Sequence, residues 1–291
     1  MGGRTTRRRV LKVTLPGEGQ TSEAAARERA DLLAAEEPLG IRVDGEALTM
    51  TMRTPGDDIE LTAGFLVGEA IVTRPEDVKE IKLCDGASCR HERHDDHEIG
   101  NIADVTLTAS ATALASTKRR SFMTTSACGV CGKTSVEDIC VLPHAPLATD
   151  ETRFSAAMLA TLPTRLREAQ KIFASTGGLH AAGLFTPAGD LLAVREDVGR
   201  HNAVDKIVGW ALLQDRLPLR GSALLVSGRA SFELVQKAVL AGIPLLAAVS
   251  APSSLAAELA EESGLTLVGF LRGGANGASM NVYTGAHRVL V

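Results

Sequence analysis

The cysteine pair within Ser126-Ala-Cys-Gly-Val-Cys-Gly132 is the segment of the sequence best equipped for chemistry. Cys128 and Cys131 are separated by two small residues, so the two sulfur atoms can approach each other. Gly129 follows the first cysteine and Gly132 follows the second, which favours a mobile loop that leaves the sulfurs open to attack. Lys133 follows closely, and a nearby cation favours the thiolate, which is the nucleophilic form of cysteine. The spacing therefore predicts a reactive thiol.

Three kinds of functional site use two cysteines at this spacing. A redox pair normally lies at a strand-to-helix turn, which the glycine-rich surroundings of Cys128 do not clearly provide. A structural zinc site needs two further ligands, and Cys84 and Cys89 can supply them. A sulfur carrier uses one thiolate to attack a donor persulfide and to hold its outer sulfur. The residues alone leave these possibilities open, beside the simpler interpretation that both cysteines are small buried apolar side chains.

A second group of metal-binding residue types lies in the first half of the chain. Cys84 and Cys89 are followed by His91, His94 and His97. Thiolate and imidazole are ligands for Zn²⁺ or Ni²⁺. The spacing indicates no fixed coordination geometry, so the segment is interpreted as a solvated polar loop and no metal site is predicted.

The second half of the sequence offers cations close to glycine. Arg272 directly follows one predicted strand and Arg229 lies two residues after another, while Arg200 and His201 lie at the start of a helical pattern. Ligands of α/β proteins usually bind at the carboxyl ends of strands. Guanidinium groups suit diphosphates, and the amides of a glycine-rich turn allow an anion to approach closely. We therefore expect an anion site here, with Lys206 as a weaker candidate ligand.

Composition excludes several functional classes. The chain has 291 residues, of which 45% are hydrophobic, and 31 basic against 35 acidic residues give a net charge of −4. The slightly negative net charge provides no basic field for nucleic-acid binding, and with only 3% aromatic residues the chain lacks aromatic platforms on which bases could stack. No apolar run is long enough for a membrane span. Five cysteines do not make a disulfide framework, and they favour the reducing cytoplasm.

Hydrophobic patterning predicts an α/β fold divided near residue 150. In residues 1–150 the pattern predicts strands over 9–15, 78–83 and 102–107, a hairpin of 41–43 with 48–52 around Asp44-Gly45, and a helix over 59–71. In residues 151–291 it predicts helices over 155–174, 201–213, 231–240 and 253–262, and strands over 179–185, 191–196, 223–227, 245–249 and 265–271. Apolar strands that alternate with helices indicate a sheet covered on both faces.

Several blocks of the sequence together resemble one known family. The cysteine segment and seven further blocks are similar, in the same order, to the FdhD family of formate dehydrogenase accessory sulfur-carrier proteins. The resemblance covers about residues 35–285, and the seven blocks are 52–66, 176–185, 195–206, 226–237, 250–255, 267–272 and 281–283.

The resemblance implies both an architecture and an activity. The implied fold is a cytidine-deaminase-like domain over 151–291 after a smaller α+β domain over 1–150 that carries the cysteine loop, assembled as a homodimer. The implied activity is that of a sulfurtransferase. It takes persulfide sulfur from a cysteine desulfurase and passes it to the molybdenum bis(molybdopterin guanine dinucleotide) cofactor that formate dehydrogenase requires. No metal of the protein's own is implied.

The resemblance also assigns residues. Cys128 corresponds to the persulfide carrier and Cys131 to the assisting thiol. The cofactor-contact stretch corresponds to Phe270, Leu271, Arg272, Gly273, Gly274 and Ala275, to which the charge pattern adds His201 and Arg229. The glycine-rich stretch 273–279 is longer than in the family, which leaves the limits of the contact stretch open.

Three other functions compete with sulfur transfer. A deaminase-like fold makes zinc-dependent deamination one candidate activity, but that chemistry needs a His-x-Glu motif and a Pro-Cys-x-x-Cys motif. His180 is followed by two alanines, and the segment after Ser227 contains no cysteine, so deamination is excluded. The remaining alternatives are a cofactor chaperone in which the cysteines are incidental, and a structural zinc protein.

Overall fold

A computed structural model describes residues 3–17, 24–84, 101–122, 147–274 and 277–291. The described strands are β1 Thr5–Thr14, β2 Ala25–Ala34, β3 Glu37–Val43, β4 Glu46–Arg53, β5 Val78–Cys84, β6 Ile102–Leu107, β7 Phe154–Ser155, β8 His180–Phe185, β9 Leu191–Asp197, β10 Ala223–Val226, β11 Leu245–Ala248, β12 Thr266–Arg272, β13 Ser279–Thr284 and β14 Val289–Leu290. The helices are α1 Asp58–Gly68, α2 Ala109–Phe122, α3 Ala156–Leu159, α4 Leu162–Ala169, α5 Lys171–Thr176, α6 Arg200–Leu213, α7 Phe232–Leu240 and α8 Ser254–Ser263.

The second half of the chain is built on a six-stranded sheet in the order β13-β12-β11-β10-β8-β9. β10, β11 and β12 are parallel, whereas β8, β9 and β13 are antiparallel to their neighbours. Alternate residues of β10 enter opposite cores: Leu224 and Val226 face one cluster, and Ala223 and Leu225 face the other. Because both faces are covered, these strands are apolar throughout, as the sequence predicts.

The first half contributes a four-stranded sheet in the order β4-β3-β6-β5. The predicted hairpin is confirmed, since β3 and β4 pair around Asp44 and Gly45, which have φ values of 51° and 80°. Two positive φ values are the requirement of a type I′ turn, and Asp-Gly satisfies it. β6 then pairs with β3 in parallel and with β5 antiparallel.

Helices α1 and α6 join the two sheets into one core. α1 lies against β5 and β6, α6 lies against β8 and β9, and the two helices pack on each other. A Cβ atom at Gly64 would lie 1.8 Å from the carbonyl oxygen of Asp205, and one at Gly209 would lie 1.8 Å from that of Glu60. Only glycine permits this approach of the two backbones. Although the sheets divide near residue 150, the apolar core is continuous between them, and the two-domain division remains a prediction.

β1 and β2 form a separate two-stranded ribbon at the start of the described chain. Their register runs from Thr5 opposite Ala34 to Thr14 opposite Ala25. α5 contacts β2 near the base of the ribbon. The residues of β1 are exposed except for Thr5 and Val10, which are partly buried.

The prediction of one continuous helix over 155–174 is wrong. The structure has α3, α4 and α5 there, and Ser155 belongs to β7. Pro163 has no N–H with which to continue the hydrogen bonding of α3, whereas proline is tolerated in the first turn of a helix, so α4 starts anew around it. The amides of Ile172 and Phe173 donate to the Glu196 carboxylate, at 2.9 and 2.7 Å, and this fixes a separate start for α5.

The structure also differs from the sequence-based prediction in where one helix ends and in how many strands and helices the chain forms. The predicted helix over 59–71 ends at Gly68, three residues early, while β2, α2 and β13 are elements that the sequence pattern did not predict. Within the described residues, no helix has the length and apolar character that a membrane crossing requires.

Candidate functional site

The carboxyl ends of three parallel strands lie along one edge of the six-stranded sheet. β10 ends at Val226, β11 at Ala248 and β12 at Arg272. β8 is antiparallel to β10, so its first residue, His180, lies at the same edge. β9 also ends there, because Asp197 pairs with His180, and α6 begins three residues later. The edge therefore collects strand ends, a histidine and a helix start.

Hydrogen bonds fix the turn after β10 against β8. The amide of Ala181 donates to Oγ of Ser227 at 2.9 Å, and the amide of Ser227 donates to the Ala181 carbonyl at 3.0 Å. The amide of Ser250 donates to the Gly228 carbonyl at 3.3 Å. A Cβ atom at Gly228 would lie 3.5 Å from Nδ1 of His180. The glycine thus lets the turn lie directly beside the imidazole ring.

A cavity of about 580 Å³ lies beside this edge, against α4 and α5. Its wall is mostly apolar: Pro163, Leu166, Phe173, Leu179, Val198 and Val249. The polar side chains that line it are Arg167, Gln170, His180 and Ser227. The Arg167 guanidinium carbon lies 3.9 Å from the centroid of the Phe173 ring. The cavity is open to solvent on one side, and its mostly apolar wall with a few polar groups gives it room for part of a small molecule.

Two histidines at this edge are neutral near pH 7. Burial, together with the charge of Arg200, lowers the pKa of His180. Burial and the charges of Lys237 and Arg200 lower the pKa of His201 to about 4. A neutral imidazole donates through one nitrogen and accepts through the other. These rings can therefore contact a ligand by hydrogen bonding, but they add no positive charge.

His201 and Arg200 differ in how their polar atoms are satisfied. Nε2 of His201 lies 3.1 Å from Oγ of Ser231 and 3.7 Å from the Glu233 carboxylate. Nε of Arg200 is buried and has no hydrogen-bond partner in the described part of the chain. A buried donor normally has an acceptor. An anionic ligand beside the start of α6 would supply one.

The stretch Phe270–Gly274 has an irregular backbone. Phe270 has a φ of 51°, and the pairing of β12 with β13 shifts register between Gly269 and Arg272. The Phe270 side chain is 41% exposed. Arg272 donates from its guanidinium to the carbonyl of Val249, a cavity residue, which places this stretch beside the cavity.

Gly273 allows close contact between this stretch and the segment that follows α3. A Cβ atom at Gly273 would lie 1.8 Å from the carbonyl oxygen of Ala160. Ala275, the last member of the predicted contact stretch, lies outside the described residues. The assignment of residues 270–275 to cofactor binding stays a prediction.

Arg229 and Lys206 have contrasting environments. Arg229 is exposed and forms no ion pair with another described residue, so its guanidinium is accessible to a ligand. Lys206 is 1% exposed, and its Nζ lies 2.7 Å from the Asp197 carboxylate. Its Nζ also donates to the Thr54 carbonyl at 3.0 Å. The interpretation of Lys206 as a ligand cation is therefore wrong, because its charge is buried and already paired.

Asp197 organises the start of α6, and sequence reasoning missed it. Its carboxylate is fully buried and accepts from the amide of Gly199 at 2.8 Å and from the side chain of Asn202 at 2.9 Å. It also accepts from the amide of Thr54, a residue of the first half, at 3.1 Å. Asp205 and Lys206 are adjacent charged residues inside a mostly apolar helix, and a buried charge requires a partner of opposite charge. This pattern was the signal in the sequence that Lys206 needs an acidic partner, which the structure shows to be Asp197.

The predicted reactive cysteines, Cys128 and Cys131, lie outside the described residues, as does Cys89. Cys84 is the last residue of β5 and is 6% exposed. Within the described residues, no three His, Cys, Asp or Glu side chains form a group that could hold a metal ion. His91, His94 and His97 also lie outside those residues.

Comparison with known proteins decides the family. A model of the FdhD/NarQ family matches residues 34–290. The chain belongs to the FdhD/NarQ family. It is 52% identical over 290 residues to the sulfur carrier protein FdhD of Nocardia farcinica, covering 99% of this chain and 96% of that protein. It is 55% identical over 285 residues to the protein of the same name from Mycolicibacterium paratuberculosis, covering 98% of each.

More distant members of the FdhD/NarQ family agree with this assignment. The sulfur carrier protein FdhD of Saccharolobus solfataricus is 39% identical over 273 residues, covering 93% of this chain and 95% of that protein. The crystal structure of a putative formate dehydrogenase accessory protein from Desulfotalea psychrophila is 25% identical, with a TM-score of 0.72, and the match covers 99% of this chain and 100% of that one. The β1–β2 ribbon lies almost wholly before residue 34, where the family match begins.

Proposed function

We propose that this protein is a sulfur carrier that supports the maturation of formate dehydrogenase. The observation that carries the proposal is the identity of 52–55% to proteins named sulfur carrier protein FdhD over 98–99% of the chain. The Cys128-x-x-Cys131 segment supplies the thiol that such a carrier needs. The proposed donor is a cysteine desulfurase, and the proposed setting is the cytoplasm, with the protein as a homodimer.

Loading is a thiol–persulfide exchange at Cys128. The Cys128 thiolate attacks the outer sulfur of the desulfurase persulfide, so a sulfur–sulfur bond forms on Cys128. The sulfur–sulfur bond on the desulfurase breaks, and its cysteine leaves as a thiolate. The number of disulfide-type bonds is unchanged, and no external oxidant or reductant is needed.

Delivery needs two electrons, and Cys131 can supply them. Its thiolate attacks Sγ of Cys128 and expels the outer sulfur as hydrosulfide, which the acceptor takes up. A Cys128–Cys131 disulfide forms, and a cellular dithiol must reduce it before the next cycle. In this proposal, Cys131 completes each turnover, whereas Cys128 alone is sufficient for loading.

The proposed acceptor is the molybdenum bis(molybdopterin guanine dinucleotide) cofactor, bound at the edge of the six-stranded sheet. The proposed contacts are residues 270–275, with Arg229 as an accessible cation and His201 as a neutral hydrogen-bonding group. The buried Nε of Arg200, which has no hydrogen-bond partner among the described residues, supports an anion at the same edge. The cavity of about 580 Å³ beside Val249 offers an apolar surface for a base of the dinucleotide.

The decisive experiment is the intact mass of the purified protein after incubation with a cysteine desulfurase and cysteine. We expect the gain of one sulfur atom, removed by a thiol reductant and absent in Cys128→Ala. Cys131→Ala is the matched control. It should load sulfur normally but fail to restore formate dehydrogenase activity in a strain that lacks the native gene.

These measurements, together with the zinc content of the purified protein, distinguish the sulfur carrier from a cofactor chaperone and from a structural zinc protein. Sulfur gain by Cys128→Ala would place the persulfide elsewhere. Full formate dehydrogenase activity with both cysteines replaced would favour a cofactor chaperone. Stoichiometric zinc with no sulfur gain would make the cysteines structural.

A further inference from the structure

The β1–β2 ribbon presents an unpaired strand edge. In the described part of the chain, β1 pairs with β2 alone, so its other edge has no neighbouring strand. Contacts of the ribbon with α5 are made through β2. A two-stranded ribbon is only marginally stable by itself, and a third strand would add a row of main-chain hydrogen bonds. This edge is therefore able to accept another strand.

The edge strand is strongly basic, unlike its partner strand. β1 contains Arg7, Arg8, Arg9 and Lys12 and no acidic residue. Of these four, only Arg9 has an ion pair among the described residues, at 4.0 Å from Glu28, and its side chain is 89% exposed. β2 contains two arginines, a glutamate and an aspartate, so its charges balance.

The cations lie on both faces of β1. Side chains alternate along a strand, so Arg7 and Arg9 share one face, whereas Arg8 and Lys12 share the other. Leu11 and Val13 follow on the Arg7 face and are 63% and 56% exposed. A strand added to this edge would thus meet positive charge on both of its sides and an apolar surface towards one end.

The cations of β1 determine which kind of strand can pair with its edge. If β1 of one copy paired with β1 of a second copy, two strands with four cations each and no acidic residue would lie side by side. Like charges on adjacent strands are destabilising, and such charges are a common protection of edge strands against self-association. Carboxylates on an incoming strand would instead face guanidinium and ammonium groups on either side.

We propose that the free edge of β1 binds an extended acidic segment of a partner protein as a third strand of the ribbon. Main-chain hydrogen bonds supply the alignment, and the cations of β1 select the acidic sequence. The inference does not rest on the sulfur chemistry, because it is argued only from the strand pairing and the charges of the ribbon. It assigns a docking surface to a part of the chain that the proposed function does not use.

The test uses the full-length protein and a fluorescein-labelled ten-residue peptide of alternating glutamate and valine. Fluorescence anisotropy should show saturable binding that weakens as salt is raised. Arg7→Glu with Arg9→Glu should lower the affinity by about tenfold, because two attractions become repulsions. Arg27→Glu with Arg29→Glu, the same reversal on β2, should change it by less than about threefold, since these side chains lie one strand further away.

N-methylated peptides distinguish strand pairing from simple charge attraction. Two isomers carry methyl groups on alternate amides, one on the odd and one on the even positions. Because alternate amides face the same neighbour, one isomer should lose binding and the other should keep it. The proposal is overturned if both isomers bind equally well, if the β2 reversal is as damaging as the β1 reversal, if the peptide does not bind, or if a single-stranded oligonucleotide of equal charge binds more tightly.

Discussion

Replacing Lys206 by methionine should destabilise the whole protein, because it leaves a buried carboxylate without its countercharge. Lys206 and Asp197 are 1% and 0% exposed, and their charged atoms are 2.7 Å apart. Removal of one partner from a buried ion pair costs about 3–5 kcal/mol. The Asp197 carboxylate keeps its hydrogen bonds from Thr54, Gly199 and Asn202, so we expect the lower end, about 3 kcal/mol.

Thermal and urea unfolding of the purified variant measure this loss. A decrease of about 3 kcal/mol corresponds to a fall in Tm of roughly 5 °C for a chain of 291 residues. Lys79→Met, on the exposed face of β5, is the matched control and should change the free energy of unfolding by no more than about 0.5 kcal/mol. The double variant Lys206→Met/Asp197→Asn should recover part of the loss. A loss below about 1 kcal/mol in Lys206→Met would refute the view that this pair holds the start of α6.

Two further variants probe the edge of the sheet. Gly273→Ala should lower stability by about 1–3 kcal/mol, because its Cβ would lie 1.8 Å from the Ala160 carbonyl. If the proposed molybdenum cofactor binds at this edge, the same variant should retain less of it while sulfur loading stays intact. Gly40→Ala, whose nearest contact would be 3.8 Å, is the control, and equal effects of the two substitutions would contradict the argument. For His201, whose pKa is about 4 in the folded protein against 6.5 for the free group, the unfolded chain binds the proton first as the pH falls. His201→Gln should therefore lose less stability between pH 7 and pH 5 than the unsubstituted protein in urea unfolding, and parallel losses would show that the group does not titrate as proposed.

The sequence predicts the second half of the fold well because its signals are local. β10 and β11 are short, continuous apolar runs, and β12 is apolar apart from Thr266, Gly269 and the Arg272 at its end, a pattern typical of buried parallel strands. β2 is the opposite case. Its sequence, AARERADLLA, is rich in helix-forming residues, and pairing with β1 along ten positions overrides that preference.

In the candidate site too, the sequence predicts the residues that depend on local patterns and misses the contacts between distant residues. Arg229 and Arg272 lie at or just beyond strand ends, as the apolar runs predict, and both are exposed, although Arg272 also donates to the Val249 carbonyl just after the end of β11. The contact between Thr54 and Asp197 joins residues 143 positions apart. No spacing rule connects two such positions, and Lys206 donates to the carbonyl of the same Thr54, so the sequence pattern does not show that Lys206 is buried and paired.

The backbone contact between α1 and α6 also bears on the order of synthesis. Gly64 touches the carbonyl of Asp205, and Thr54 donates to Asp197, so the first half reaches its final packing only when about two thirds of the chain has been made. Cys128 and Cys131 leave the ribosome well before that point. A nascent chain therefore contains both cysteines before the strands that form the edge of the six-stranded sheet, β10, β11 and β12, have been synthesised.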